Sequence, residues 1–226
     1  MQSSLKRANA PKTVTRFFRG ILKRGDPMEI RTFVMTPYQS NCYLITHHGH
    51  AVVIDPGARD SRLEDVIMTS GLTVDAILLT HGHADHVGGV MAIKDMTGAD
   101  AYMCNRDNRW LKRGSLPFLD HDVITDHDLE DGDTVHAAGL DFHVIGTPGH
   151  SEGGVSFLCG DVLFSGDTLF FQNVGRTDLP GGDSKTLYMS VKKLYGMLPD
   201  DTKVFPGHGK PTTIGHERTH NLFVRG

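Results

Sequence analysis

The chain has 226 residues, 38% hydrophobic and 22% charged, with a formal net charge of −4. That is enough apolar material for one sizeable core, and no run of about 18 apolar residues exists to span a bilayer. Cys42, Cys104 and Cys159 are odd in number, far apart and form no C-x-x-C pair, so a reducing, cytoplasmic setting with buried thiols is expected rather than a disulfide framework.

Residues 1–27 read as a basic N-terminal extension, with Lys6, Arg7, Lys12, Arg16, Arg19, Lys23 and Arg24 against the single acid Asp26. Val14, Phe17, Phe18, Ile21 and Leu22 could stripe one face of a short helix, as in an organelle-import segment. The plainer reading is a disordered extension ahead of a domain spanning 28–226. No apolar core of a secretion signal is present. The acidic balance lies in residues 28–226, which argues against a nucleic-acid partner and its basic footprint.

From Met28 the chain alternates strand-like and helix-like runs. "NCYLIT" (41–46) and "AVVIDPG" (51–57) read as a hairpin turning at "HHGH". "SRLEDVIMTSG" (61–71) puts Leu63, Val66 and Ile67 on one helical face. "VDAILLT" (74–80) has the length of a buried strand, and Val87, Val90, Ile93 or Lys94, and Thr97 recur at helical spacing. "AYM" (101–103) is a further strand. Residues 105–120, with the only tryptophan, Trp110, are irregular; Leu116, Phe118 and Leu119 there suit either an apolar lid or packed core. "LDFHVIGTPGH" (140–150), "GDVLFSGD" (160–167) and "KVFPGHG" (203–209) are strands running into Gly/Pro turns, and 184–197 is an amphipathic helix with Ser184 as its expected N-cap.

Asp55, the His81–His86 cluster, His150, Asp167 and His208 all fall just after an expected strand. In α/β layers, loops at the carboxyl ends of strands converge on one crevice. "THGHADHVGG" packs His81, His83, Asp85 and His86 into six positions, too tight for one ion but suited to two neighbouring ones. His47, His48, His50, His121, His127, His136, His143, His216 and His220 are read as ordinary surface or core residues.

Together, "THGHADHVGG", "TPGHSEGG", "SGDTLF" and "PGHG" resemble the metallo-β-lactamase fold superfamily over residues 28–226. The resemblance implies an α/β fold: an αβ/βα sandwich of two mixed β-sheets flanked by helices, with metals at one edge. It implies that His81, His83 and His150 hold one ion, that Asp85, His86 and His208 hold a second, and that Asp167 bridges them. Asp55 would stand behind the ligands. Asp85 and Asp167 would be the catalytic carboxylates, acting with a metal-bound hydroxide. Two divalent ions are implied, with zinc expected and iron or manganese also accepted by His/Asp sets.

Within the superfamily, "GDTLFFQNVGRTDLPGGDSKTLYMSV" and "VFPGHGKPTTIGHERTHNLF" resemble single-domain glyoxalase-II-like thioesterases. That implies a hydroxyacylglutathione substrate such as S-lactoylglutathione. Arg176 matches a lysine that contacts glutathione, although it could instead pair with Asp178. Two-domain glyoxalase II carries a C-terminal helical domain that has no counterpart after His208 here. "GRTD" (175–178) also resembles persulfide dioxygenases, which implies one iron on His81, His150 and Asp167. Hydrolysis of another ester or lactone, and a non-catalytic metal-dependent binding module, are further alternatives. The expected partner is a small molecule, with no membrane span; a homo-oligomer is left open.

Overall fold

In a computed structural model, which describes residues 16–21, 27–35, 37–114 and 119–226, short strands with both faces apolar decide the architecture. The first sheet runs in chain order: β1 (Arg16–Ile21), β2 (Pro27–Met35), β3 (Ser40–His47), β4 (His50–Ile54), β5 (Thr73–Leu78), β6 (Asp100–Met103) and β7 (His127–Asp128). Its first four strands are antiparallel and the last four parallel. Helices α1 (Ser61–Thr69), α2 (Ala84–Val87) and α3 (Val90–Thr97) and a 3₁₀ helix (Asn105–Leu111) belong to this half.

The second half supplies β8 (Thr134–Ala137), β9 (Leu140–Gly146), β10 (Val155–Cys159), β11 (Val162–Gly166), β12 (Leu169–Phe170), β13 (Asn173–Val174), α4 (Ser184–Met197), β14 (Lys203–Pro206), β15 (Thr212–Thr213) and α5 (Ile214–His220). Six of these strands form the second sheet, ordered β15-β14-β11-β10-β9-β8, and β12 pairs with β13 as a separate ribbon.

Period-two alternation sends each strand's residues into two cores. On β3, Tyr43 and Ile45 face between the sheets, while Cys42 and Leu44 face the helices; on β4, Val52 and Ile54 alternate likewise with Ala51 and Val53. From the other side Phe142, Phe157, Phe164 and Phe205 fill the layer between the sheets. Leu63, Ile67, Val90 and Ile93 cover the first sheet, and Val191, Leu194 and Ile214 cover the second. The result is the αβ/βα sandwich. All three cysteines are buried and free, and no described helix is long and apolar enough to cross a membrane.

Three local expectations are corrected. The helical stripe around Phe17, Phe18 and Ile21 is a strand, because Arg16–Ile21 pairs antiparallel along β2 and Gly20 gives a helix little support; Val14 and Leu22 lie outside the described residues. The helix expected from Val87 onward is two helices: Gly88 N–H closes α2 on Ala84 O, and Gly89 N–H turns away to Pro56 O. α4 is capped by Asp183, whose carboxylate accepts from Thr186 N–H at 2.7 Å, one residue before Ser184. Leu119 is core, as are Trp110 and Leu111; Leu116 and Phe118 are outside the described residues.

Phe164 is fully buried at the centre of the inter-sheet layer, its ring 5.3 Å from Tyr43 and 5.7 Å from Phe205 between centroids. Phe164→Ala should lower stability by about 3–5 kcal/mol, measured by urea unfolding. A loss within experimental error would mean that this layer does not hold the two sheets together.

Candidate metal centre

The loops of interest leave five strands at one edge of the sandwich. Asp55 follows β4, His81 to His86 follow β5, His150 follows β9, Asp167 follows β11 and His208 follows β14. β4 and β5 are parallel, as are β11 and β14, so their carboxyl ends open the same way. Two glycines admit the resulting crowding: a Cβ on Gly57 would lie 1.6 Å from Asp85 O, and one on Gly207 would lie 2.1 Å from Asp167 Oδ1.

Asp55 organises the cluster from behind. It is buried, with its backbone in the left-handed region at φ 51°. Its Oδ1 accepts from Thr80 N–H at 2.8 Å, and its Oδ2 accepts from Thr80 Oγ1 at 2.6 Å and from the His86 Nδ1 position at 2.9 Å. Thr80 Oγ1 also lies 3.1 Å from His81 Nδ1. This chain of donors keeps the Nδ1 protons of His81 and His86 on the Asp55 side, so both Nε2 atoms face the crevice. His150 is oriented the same way, with Nδ1 2.7 Å from Arg176 O.

Two groups of donor atoms result, each within 4.8 Å of one another: His81, His83 and His150; and Asp85, His86 and His208. In the first, His83 Nδ1 is 2.9 Å from His150 Nε2. In the second, Asp85 Oδ2 is 3.2 Å from His208 Nε2 and 3.6 Å from His86 Nε2. Asp167 stands between them: its oxygens lie 3.5 Å from His150, His86 and His208 Nε2. Asp55, His81 and His86 also approach closely, but the Asp55 oxygens are taken up by Thr80 and His86.

The two groups differ in charge. Burial, then the neighbouring imidazoles, holds His81 well below the usual histidine range and takes His83 down to about 4. Burial also disfavours a charged His86, but Asp85, Asp167 and Asp55 outweigh it and raise this imidazole to about 10. Asp85 is held well below the usual carboxylate range: His86 and His208 overcome its burial. His208 is raised despite burial, through Asp85 and Asp167. His81 and His83 are thus neutral imidazoles, whereas the second group is a mesh of carboxylates and imidazolium.

Several residues that no motif singled out complete the frame. Ser40 Oγ donates to Asp85 O at 2.5 Å, and Asn41 Nδ2 donates to Pro206 O and Gly209 O on either side of His208. Tyr43 OH donates to Pro206 O at 2.6 Å. Asp107 accepts from Gly82 N–H and Gly153 N–H. Their only sequence signal was position on or beside an element. The nine histidines read as ordinary join neither group among the described residues.

A cavity of about 560 Å³ opens onto the cluster, walled by Tyr38, Phe170, Val174, Leu179 and Arg176 beside His83, Asp85, His150, Asp167 and His208. Arg176 is at its rim, and its guanidinium pairs in two places with Asp178, at 2.6 and 2.7 Å, both side chains being exposed.

Residues 35–208 match the metallo-beta-lactamase superfamily. The hydroxyacylglutathione hydrolase GloC of Haemophilus influenzae is 35% identical over 208 residues, covering 87% of this chain and 98% of that protein. Among solved structures, the BLEG-1 B3 metallo-beta-lactamase superposes with a TM-score of 0.80 at 38% identity, covering 87% of this chain and all of that one. TTHA1623 in a di-iron-bound form gives 0.74 at 37% identity over 85% of this chain and 99% of its own. ETHE1 from Myxococcus xanthus gives 0.72 at 30% identity over 85% and 83%. With two mixed sheets enclosing a histidine and aspartate cluster at one edge, and with this match over most of its length, the chain belongs to the metallo-beta-lactamase superfamily.

Proposed function

We infer that the chain hydrolyses glutathione thioesters, S-lactoylglutathione among them, at a centre of two divalent ions, with zinc the expected metal. The observation that carries this reading is the position of Asp167, whose carboxylate lies 3.5 Å from imidazoles of both donor groups. The donor set fits such ions: His81 Nε2, His86 Nε2 and Asp167 Oδ1 are buried without a hydrogen-bond partner, and buried polar atoms ordinarily have one. His81, His83 and His150 would hold one ion, Asp85, His86 and His208 the other, and Asp167 both. Such ions supply an activated water at neutral pH and polarise the substrate carbonyl.

The chain's own residues do the rest. Asp55, directly and through Thr80, keeps His86 and His81 in the tautomer that offers Nε2. The Arg176 carbonyl does so for His150. Phe170, Val174 and Leu179 give the acyl group an apolar wall. A second cavity of about 650 Å³ shares Tyr38, Ala84 and Asp85 with the first, leaving room for a bulky thiol carrier on the other side of Asp85. An exposed ion pair is held only weakly, so Arg176 can exchange Asp178 for a substrate carboxylate. The GloC likeness, extending over nearly the whole of both chains, supports the thioester class.

The likeness to ETHE1 fits a second reading, a dioxygenase with one iron on His81, His150 and Asp167. The complete Asp85–His86–His208 group favours the hydrolase, because it offers a second ion three donors of its own. The di-iron form of TTHA1623 is why iron stays an alternative metal for this chain.

Two outcomes are expected. At neutral pH an ion entering the second group must displace the His86 proton, since that imidazole titrates near 10, whereas His81 and His83 are already neutral. Zinc affinity of the second group should therefore rise at least about tenfold per pH unit between pH 6 and 8, more steeply than that of the first, as read by chelator competition. Equal slopes for the two binding phases would contradict this division of charge. Zinc-loaded protein should also consume S-D-lactoylglutathione, followed by thioester absorbance, and Asp167→Ala should lower kcat/KM on the order of 10²-fold or more. One iron per chain with no thioesterase turnover would replace the hydrolase by the dioxygenase.

A further inference from the structure

We propose that Asp107 is a positioning residue that sets the spacing of the His81–His83–His150 group, and with it that group's affinity for its ion, while leaving the Asp85–His86–His208 group untouched. This deepens the metal-centred reading and rests on it. Asp107 lies in the 3₁₀ helix, outside every histidine motif, and is fully buried. Its Oδ2 accepts from Gly82 N–H at 3.0 Å and its Oδ1 from Gly153 N–H at 2.7 Å. Gly82 stands between His81 and His83, and Gly153 is three residues after His150. One carboxylate therefore ties the loop after β5, in the first sheet, to the loop after β9, in the second.

The fit is close on both sides. A Cβ on Gly82 would come within 2.9 Å of Asp107 O, and one on Gly153 within 2.8 Å of Asp107 Cγ, so both loops lie flush against this residue. Trp110, from the same 3₁₀ helix, sets its ring 5.8 Å from that of His83. Hydrogen bonds to an ionised acceptor are shorter and stronger than neutral ones, and a carboxylate has an acceptor for each loop. A neutral side chain could join two loops too, but burying a charge is costly unless something compensates it. A cation among His81, His83 and His150 supplies that compensation. The other group is tied by different residues: Ser40 at Asp85 O, Asn41 on both sides of His208, and Asp55 at His86. None of these ties passes through Asp107.

The test uses full-length variants that keep one group each. His208→Ala leaves the first group whole and His83→Ala leaves the second, and each is titrated with zinc against a chromophoric chelator with and without Asp107→Asn. Asparagine keeps the size but turns an NH₂ toward one of the two backbone N–H donors. Asp107→Asn should weaken zinc binding about 10- to 100-fold in the His208→Ala protein and leave it unchanged in the His83→Ala protein. Equal weakening in both would reduce Asp107 to general structural support, and no weakening in either would remove the role; each result overturns the inference alone. If neither single-group protein binds zinc, the metal-centred reading falls with it. Should Asp107→Asn fail to fold, amide exchange of the metal-free wild type decides: Gly82 and Gly153 N–H should be strongly protected, and exchange at the rate of exposed loops would overturn the clamp.

Discussion

The strand edge depends on where one buried carboxylate receives its hydrogen bonds. Asp55 takes three, two from Thr80 and one from His86, and to do so it adopts φ 51°. A non-glycine residue in that region costs about 1–3 kcal/mol and persists only where its surroundings over-determine it. Parallel pairing of β4 with β5 does this, delivering Asp55 N–H to Leu78 O at 3.1 Å, two residues before Thr80. The sheet's own ladder thus brings the carboxylate to the loop that carries His81 and His86. Two imidazoles that could each present either nitrogen are reduced to one choice.

That choice has a cost which the sandwich must carry. In the cluster His81 Nε2, His86 Nε2 and Asp167 Oδ1 are buried without partners, and a buried polar atom left unsatisfied costs about 1–3 kcal/mol. Such a cluster is tolerable only on a frame stabilised elsewhere, and here three separate apolar clusters lie behind, between and outside the sheets. An ion bound only by the folded chain adds stability in proportion to the logarithm of its concentration over Kd. Folding and metal occupancy are therefore coupled through the same atoms, and the coupling depends more on pH for the Asp85–His86–His208 group, whose protons leave as the ion enters.

Much of the frame was legible in the sequence because its signals are local. Apolar runs such as "AVVIDPG" and "DVLFSGD" carry both faces of a buried strand, and Asp55, His81, Asp167 and His208 sit within three positions of a strand end. What was not legible depends on pairing across the chain. Asn41 reaches Pro206 and Gly209 over 165 and 168 residues, and a polar residue opening a strand gives no hint of such a partner. Asp107 lies in a stretch without periodicity, so its grip on Gly82 and Gly153 appears only once both loops are in place. β1 was missed because pairing with β2 overrides a weak helical stripe. The Ser184 cap was off by one, since aspartate and serine cap equally well and the backbone turn decides between them.

The same construction separates the chemistry of the centre from the choice of substrate. The donors stand on the short turns that leave the strands and on α2, whereas the cavity rim comes from the β12–β13 ribbon, the 175–183 loop and the turn at Tyr38. Strand ends hold a geometry, and loops admit change without disturbing it. Among the rim residues Arg176 joins both levels: its carbonyl orients His150, and its exposed guanidinium, paired with Asp178, lies at the cavity wall. A substrate anion that drew this side chain from Asp178 would pull on the residue that also fixes a donor imidazole, so binding at the rim and geometry at the centre share one backbone.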